Sequence, residues 1–140
     1  MLYTIRGETV ADLSAAAATV WTMKAQSAGK LNVKQIFAMV EEAIAAGGFS
    51  SVAGESQLTA QPSGGSEVEL CSFTTGVAPA VGKAVGDQVR FTVNTTNVNT
   101  SQNYDFDADC VFRFKNKTAG TGGTVTGTLR IYLPIDQDLG

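Results

Sequence analysis

The sequence predicts an α+β domain: an antiparallel β-sheet or small sandwich with two N-terminal helices packed on one face. Three observations carry this expectation. The first third is rich in alanine; a stripe from Asn32 to Gly48 repeats with a helical period; and from residue 49 onward the chain is rich in Gly, Thr, Ser and Asn with strand-like alternation. With 140 residues the chain is long enough for one hydrophobic core and short for two, so a single domain over 1–140 is expected. Its helical part spans about 8–48 and its β-rich part 49–140, with a C-terminal tail over 134–140.

Met1 to Arg6 alternates as a short strand with apolar groups on both faces, and Gly7 ends it. Thr9 and Asp12 stand in capping-box-like spacing ahead of a first helix from about Val10 to Ser27. Leu13, Ala17, Val20 or Trp21, and Lys24 follow its period. The same residues support a second reading, because Val20, Thr22 and Lys24 alternate with Trp21, Met23 and Ala25, as in a strand over Thr19 to Ala25. Gly29 and Lys30 lead to the second helix. There Asn32 and Gln35 form a capping box, Val33, Ile36, Phe37, Val40 and Ile44 form the buried stripe, and Gly47 and Gly48 stop it. An alanine-rich partner lets two such helices approach closely as a hairpin on a sheet.

In the β-rich part, Phe49 to Gln61 reads as an edge strand, Pro62 to Gly65 as a turn and Ser66 to Thr74 as a strand. Gly76 to Gly86 is an Ala/Val/Gly arm around Pro79. Asp87 to Thr95 places Val89, Phe91 and Val93 inward, and Thr95 to Asn103 is a polar loop. The longest alternation runs from Tyr104 to Lys115, with Tyr104, Phe106, Ala108, Cys110, Phe112 and Phe114 on the inner face. After a loop at Asn116 to Gly123, Thr124 to Leu133 alternates again until Pro134 ends it. Matching the two patterns predicts a hairpin that sets Phe114 against Val125, Cys110 against Leu129, Ala108 against Ile131 and Phe106 against Leu133. On its outer face Asp109 meets Arg130 as an opposite-charge pair.

Several chemistries are excluded by composition. There is no histidine, which removes His-based acid–base work, Ser-His-Asp and Cys-His nucleophiles and His-ligated zinc. The formal net charge is −3 and no basic run concentrates cations as a phosphate backbone demands, which leaves only a modest patch built from Arg90, Arg113, Lys115 and Lys117. Cys71 and Cys110 are the only cysteines, in two strand-like segments, and can be a disulfide or two buried thiols. The alanine tract is flanked by Asp12 and Lys24, so no segment is expected to span a membrane, and Arg6 followed by Glu8 makes a poor secretory leader. Gly82-Lys83-Ala84 lacks the Ser or Thr of a phosphate loop, and Gly120, Gly122 and Gly123 lack the spacing of a dinucleotide fingerprint.

Asp105, Asp107 and Asp109, with Asp136 and Asp138 near the same end, are the one constellation that resembles a metal site. Calcium needs 6 to 8 oxygens wrapped round it, whereas alternate strand residues stand about 6.6 Å apart, so an acidic face is the expected role. No cofactor and no catalytic residue is expected. Low charge, Thr/Asn-rich strands and a shortage of reactive side chains predict a non-enzymatic structural subunit of a repetitive assembly, a phage or virus particle component such as a capsid, decoration or tail-tube protein. Its partners would be copies of itself or other structural subunits, located in a virion or extracellular assembly, with the cytoplasm open. The contact candidates are Val77, Pro79, Val81 and Val85 in the arm, Asp109 and Arg130 on the hairpin, and Pro134 before the tail. The competing expectation is an extracellular binding or adhesion module, with calcium or a small ligand at the acidic end of the sheet.

Overall fold

The computed structural model describes residues 3–9, 19–42, 55–74, 86–118 and 127–137, and within them the chain is almost wholly extended. In order come β1 (Tyr3–Thr9), β2 (Thr19–Lys24), β3 (Gly29–Asn32), a 3₁₀ turn (Val33–Gln35), β4 (Phe37–Glu42), β5 (Glu55–Gln61) and β6 (Val68–Thr74). They are followed by β7 (Gln88–Arg90), β8 (Thr92–Val93), β9 (Asn103–Phe106), β10 (Val111–Thr118), β11 (Gly127–Leu133) and β12 (Ile135–Gln137). These strands form a four-stranded sheet in the order β1-β11-β4-β7, a five-stranded sheet in the order β2-β10-β5-β6-β8, and a three-stranded sheet in the order β12-β3-β9. Every pairing is antiparallel.

The expected N-terminal helix pair is overturned. Among the described residues the only helical element is the three-residue 3₁₀ turn. Thr19–Lys24 is β2, the alternating reading of that segment, as suits a run containing Thr, Val, Trp and Thr. Asn32 caps nothing: its φ of −80° and ψ of 91° are extended, and its side chain makes no cap hydrogen bond. The helical stripe came from two unlike pieces. Val33 and Ile36 are buried because they flank a tight turn, whereas in β4 Ala38 is buried and Phe37 and Met39 are only half-buried, a period of two. Residues 10–18 and 43–54, into which the helices were expected to run, lie outside the described residues.

The predicted hairpin is overturned as well. The long alternation is interrupted: β9 ends at Phe106, the chain turns through Asp107 to Cys110 with Asp109 at φ +69°, and β10 starts at Val111. β10 then lies between β2 and β5, whereas β11 lies between β1 and β4 in another sheet. The pairings of Phe114, Cys110, Ala108 and Phe106 with β11 therefore do not form, and Val125 lies outside the described residues. Phe114 instead stands between Trp21 and Leu58, and Arg130 between Arg6 and Met39. Alternation had indicated which side of a strand faces the core, and there it agrees with the structure: Phe106, Cys110, Phe112, Phe114, Ile131 and Leu133 are all buried. Ala108 is exposed on the turn.

One core serves all three sheets. Ala38, Ile131 and Leu133 come from the four-stranded sheet, Leu58, Ala60, Leu70, Cys71, Phe112 and Phe114 from the five-stranded sheet, and Leu31, Phe106 and Ile135 from the three-stranded sheet. Phe112 is the joint between two of them. It lies edge-to-face with Phe106 at 5.1 Å and with Tyr104 at 6.4 Å, both from β9. The β5–β6 register steps from Leu58↔Cys71 to Thr59↔Glu69, so Leu70 is the extra residue of a bulge, and Leu70 and Cys71 are both buried despite being neighbours. The Leu70 carbonyl is satisfied from elsewhere, accepting from the Asn94 N–H at 2.9 Å.

Truncating Phe112 removes a ring that is 0% exposed and holds β9 to β10. Phe112→Ala is expected to cost about 3–5 kcal/mol of unfolding free energy, measured by urea titration, and a loss below about 1 kcal/mol would contradict this packing.

Candidate functional site

The carboxylates singled out in the sequence do not converge. Asp105, Asp107 and Asp109 are all exposed, on β9 and on the turn after it. Asp109 forms an ion pair with Lys24 at 2.9 Å rather than with Arg130, because the turn packs beside the end of β2. Asp136 lies across β3 from Asp105, with Lys30 opposite both. Among the described residues no group of three or more Asp, Glu, Cys or His side chains is placed to hold a metal ion. Pro134 sits at the joint between β11 and β12, where its carbonyl accepts from the Asn32 N–H at 3.0 Å. Val77, Pro79, Val81 and Val85 lie outside the described residues.

The densest polar network lies on the outer face of the five-stranded sheet and was not anticipated. Lys115 Nζ stands 2.7 Å from Glu67 Oε1, Arg113 stands 3.6 Å from Oε2, and the Thr59 hydroxyl donates to Oε1. Arg113 also donates to Gln61 Oε1 at 2.8 Å. Thr59 and Arg113 are direct cross-strand partners, and the charged chains roof over Thr59, which is only 2% exposed. Burial pushes the Glu67 carboxyl up, but hydrogen bonds from Lys115 and Thr59 and the charges of Lys115 and Arg113 outweigh it and hold the group below the usual carboxylate range. An acid held ionised and saturated with donors braces strands and is a poor proton donor.

Neither thiol is poised to react. Cys71 and Cys110 are free and buried. Burial pushes both thiols up, aided at Cys71 by the charge of Glu69. Tyr104, hydrogen-bonded to Cys110, is pushed up to about 12, first by burial and then by that thiol.

The outer face of the four-stranded sheet is different in kind. Across β11, β4 and β7 the register aligns Tyr132, Phe37 and Arg90 in one row, and Arg130, Met39 and Gln88 in the next. Phe37 and Tyr132 stack with centroids 4.8 Å apart and planes 15° apart, and the Arg90 guanidinium lies 5.4 Å from the Phe37 centroid. Phe37, Met39, Arg130 and Tyr132 are half-buried, and Arg90 is exposed. The local signal for this face was the run of Phe37, Ala38, Met39 and Val40, apolar on both sides of one strand, which a helical reading absorbs into a single stripe.

Three outcomes test these assignments. Glu67→Ala leaves the Thr59 hydroxyl without its acceptor and two cations without their counter-charge, and is expected to cost about 1–3 kcal/mol. Because the folded Glu67 carboxyl lies below its ordinary value of 4.5, its stabilisation is fully present above that value and is lost as pH falls through the folded value. Glu67→Gln should accordingly flatten the acid limb of a stability-against-pH curve. A thiol reagent should modify neither cysteine in the native protein and both in urea; rapid labelling of native Cys71 would be inconsistent with its burial.

No protein-family model, no curated protein and no solved structure matches this chain.

Proposed function

We propose that the chain is a non-enzymatic structural subunit of a repetitive assembly, a phage or virus particle component of the capsid, decoration or tail-tube kind. The reading is carried by the outer face of the four-stranded sheet, where two stacked aromatic rings, a methionine and Arg130 stand half-covered beside an exposed Arg90. Aromatic residues, Met and Arg are the types enriched at the buried centre of protein interfaces, and Tyr and Arg are prominent among energetic hot spots. The sheet edge adds to it. β1, seven residues long, is one of the two edge strands of this sheet among the described residues, so one side of its backbone can take a strand from a neighbour.

The particle assignment draws on composition. The charged fraction is 16%, against about 25% for ordinary domains, and Thr, Asn, Ser and Gly take its place, a surface suited to close packing of many copies. None of the described helices is long and apolar enough to cross a membrane.

Sedimentation from about 1 to 100 μM tests the assembly reading, since association follows mass action. Masses above that of a single chain and rising with concentration are expected, with regular shells or tubes in electron micrographs of the pelleted material. A monodisperse monomer throughout that range would sink the proposal.

A further inference from the structure

We infer that the contact between copies is head to tail, with the Tyr132–Phe37–Arg90 row of one copy receiving the Asp107–Cys110 turn of the next. The inference rests on the assembly reading and names the surface that completes it.

The row determines what kind of partner it can accept. β4 is flanked by β11 on one side and β7 on the other, so Phe37 has Tyr132 stacked against one face of its ring and Arg90 against the other. With both faces occupied, Phe37 offers ring edges outward and has no free face for a nucleobase, which binds such platforms by stacking. What remains outward is a rigid apolar ridge with a guanidinium beside it. Arg90 is exposed and has no carboxylate within 4.0 Å among the described residues, so its donors are available in a fixed direction. In the register Arg6 lies opposite Arg130, and the row beyond them contains Glu8, Thr128 and Glu42.

The complementary charge is found on the same chain. Of the exposed acidic residues described above, Asp109 is taken by Lys24. Lys30 stands opposite Asp105 on one side and Asp136 on the other in the β3 register. Asp107 has neither an ion-pair partner among the described residues nor a lysine opposite it. The turn that carries it is held firmly, because the Asp109 N–H donates to the Ala25 carbonyl at 2.9 Å and the Ala25 N–H to the Cys110 carbonyl at 2.8 Å. An anchored acidic turn and a flat ridge ending in an arginine are complementary in charge, and among the described residues neither Asp107 nor Arg90 has an ion-pair partner. Because the two surfaces differ, the contact is heterologous: it leaves a free ridge at one end and a free turn at the other, and propagates into a ring or a helical tube.

Charge reversal tests this. Arg90→Glu and Asp107→Arg should each weaken self-association at least tenfold in sedimentation equilibrium, and the double variant Arg90→Glu/Asp107→Arg should restore it to within about threefold of wild type. Circular dichroism and melting temperature should be unchanged for Asp107→Arg, whose site is exposed, so that variant carries the test even where Arg90→Glu perturbs the sheet. Wild-type assembly that both single variants match would overturn the head-to-tail contact while leaving the assembly reading in place; a monomeric wild type would overturn both. Nucleic acid co-purifying with wild type, seen as excess absorbance at 260 nm with protein mass unchanged and lost in Arg90→Glu, would also overturn the inference.

Discussion

Three sheets share one core, and that constraint governs the path of the chain. A strand that has finished in one sheet must leave it and enter another without stranding buried backbone groups. Each joint solves this with a different residue. Ala25, between β2 and β3, exchanges hydrogen bonds with Asp109 and Cys110 in the turn between β9 and β10, so two joints satisfy each other. Val33 at the head of the 3₁₀ turn donates to the Gln102 carbonyl, with Gln102 itself at φ +58°. Between β11 and β12 stands Pro134, which has no N–H to leave unpaired and whose carbonyl receives the Asn32 N–H. Phe91, between β7 and β8, joins the core as the chain passes from the four-stranded to the five-stranded sheet, edge-to-face with Phe114 at 6.1 Å.

Because the inner faces are committed to this core, the outer faces carry the differences between sheets. The five-stranded sheet ties up its own polar groups: Glu67, Lys115, Arg113, Gln61 and Thr59 bond to one another, with side chains of the charged residues about a quarter exposed. Partly exposed ion pairs contribute little stability, in the range of about 0–1 kcal/mol each, so the effect of this network is chiefly to hold β5, β6 and β10 in register. The four-stranded sheet does the opposite. It leaves the aromatic ridge partly in water, where every square ångström of apolar surface still exposed forgoes about 25 cal/mol. A partner that covers the ridge recovers that term without having to order flexible side chains, since Phe37 is already clamped between its neighbours.

Local pattern and chain path differ in how legible they are. That Phe112 and Phe114 point inward while Arg113 and Lys115 point outward follows from a period of two and could be read directly. Which strand lies beside β10 could not, because β2, β5 and β11 all alternate and the choice depends on how joints elsewhere route the chain. The break after Phe106 was concealed by composition: Asp107, Ala108, Asp109 and Cys110 continue the alternation of the strand while forming a turn. The available clue was Asp109 itself, since aspartate is among the few residues that accept a positive φ. The second helix was misread because Val33 and Ile36 in a tight turn, followed by a strand apolar on both faces, imitate a stripe. The Glu67 network and the Phe37 row each join residues from three separated segments, and nothing in the spacing of Glu67, Arg113 and Lys115, or of Phe37, Arg90 and Tyr132, brings them together before the sheets form.

Two surfaces could organise copies of this chain, the edge along β1 and the face beside it, and they differ in what they specify. An open edge pairs through backbone groups that every strand possesses, so by itself it discriminates poorly and invites irregular growth. Here the edge strands are guarded. β1 carries Arg6 and Glu8 in its sequence, and on β2 Thr22 and Lys24 are exposed, with Lys24 tied to Asp109. Such charges penalise edge pairing out of register. The face holds its reacting groups in one arrangement, with Arg90 fixed over Phe37 and Phe37 fixed against Tyr132. A contact seated there sets both distance and direction between neighbours, and backbone pairing along β1 then follows only where that geometry brings a complementary strand alongside. Order in a repetitive assembly of this chain would therefore originate at the face, with the edge reinforcing a register that the face has already chosen.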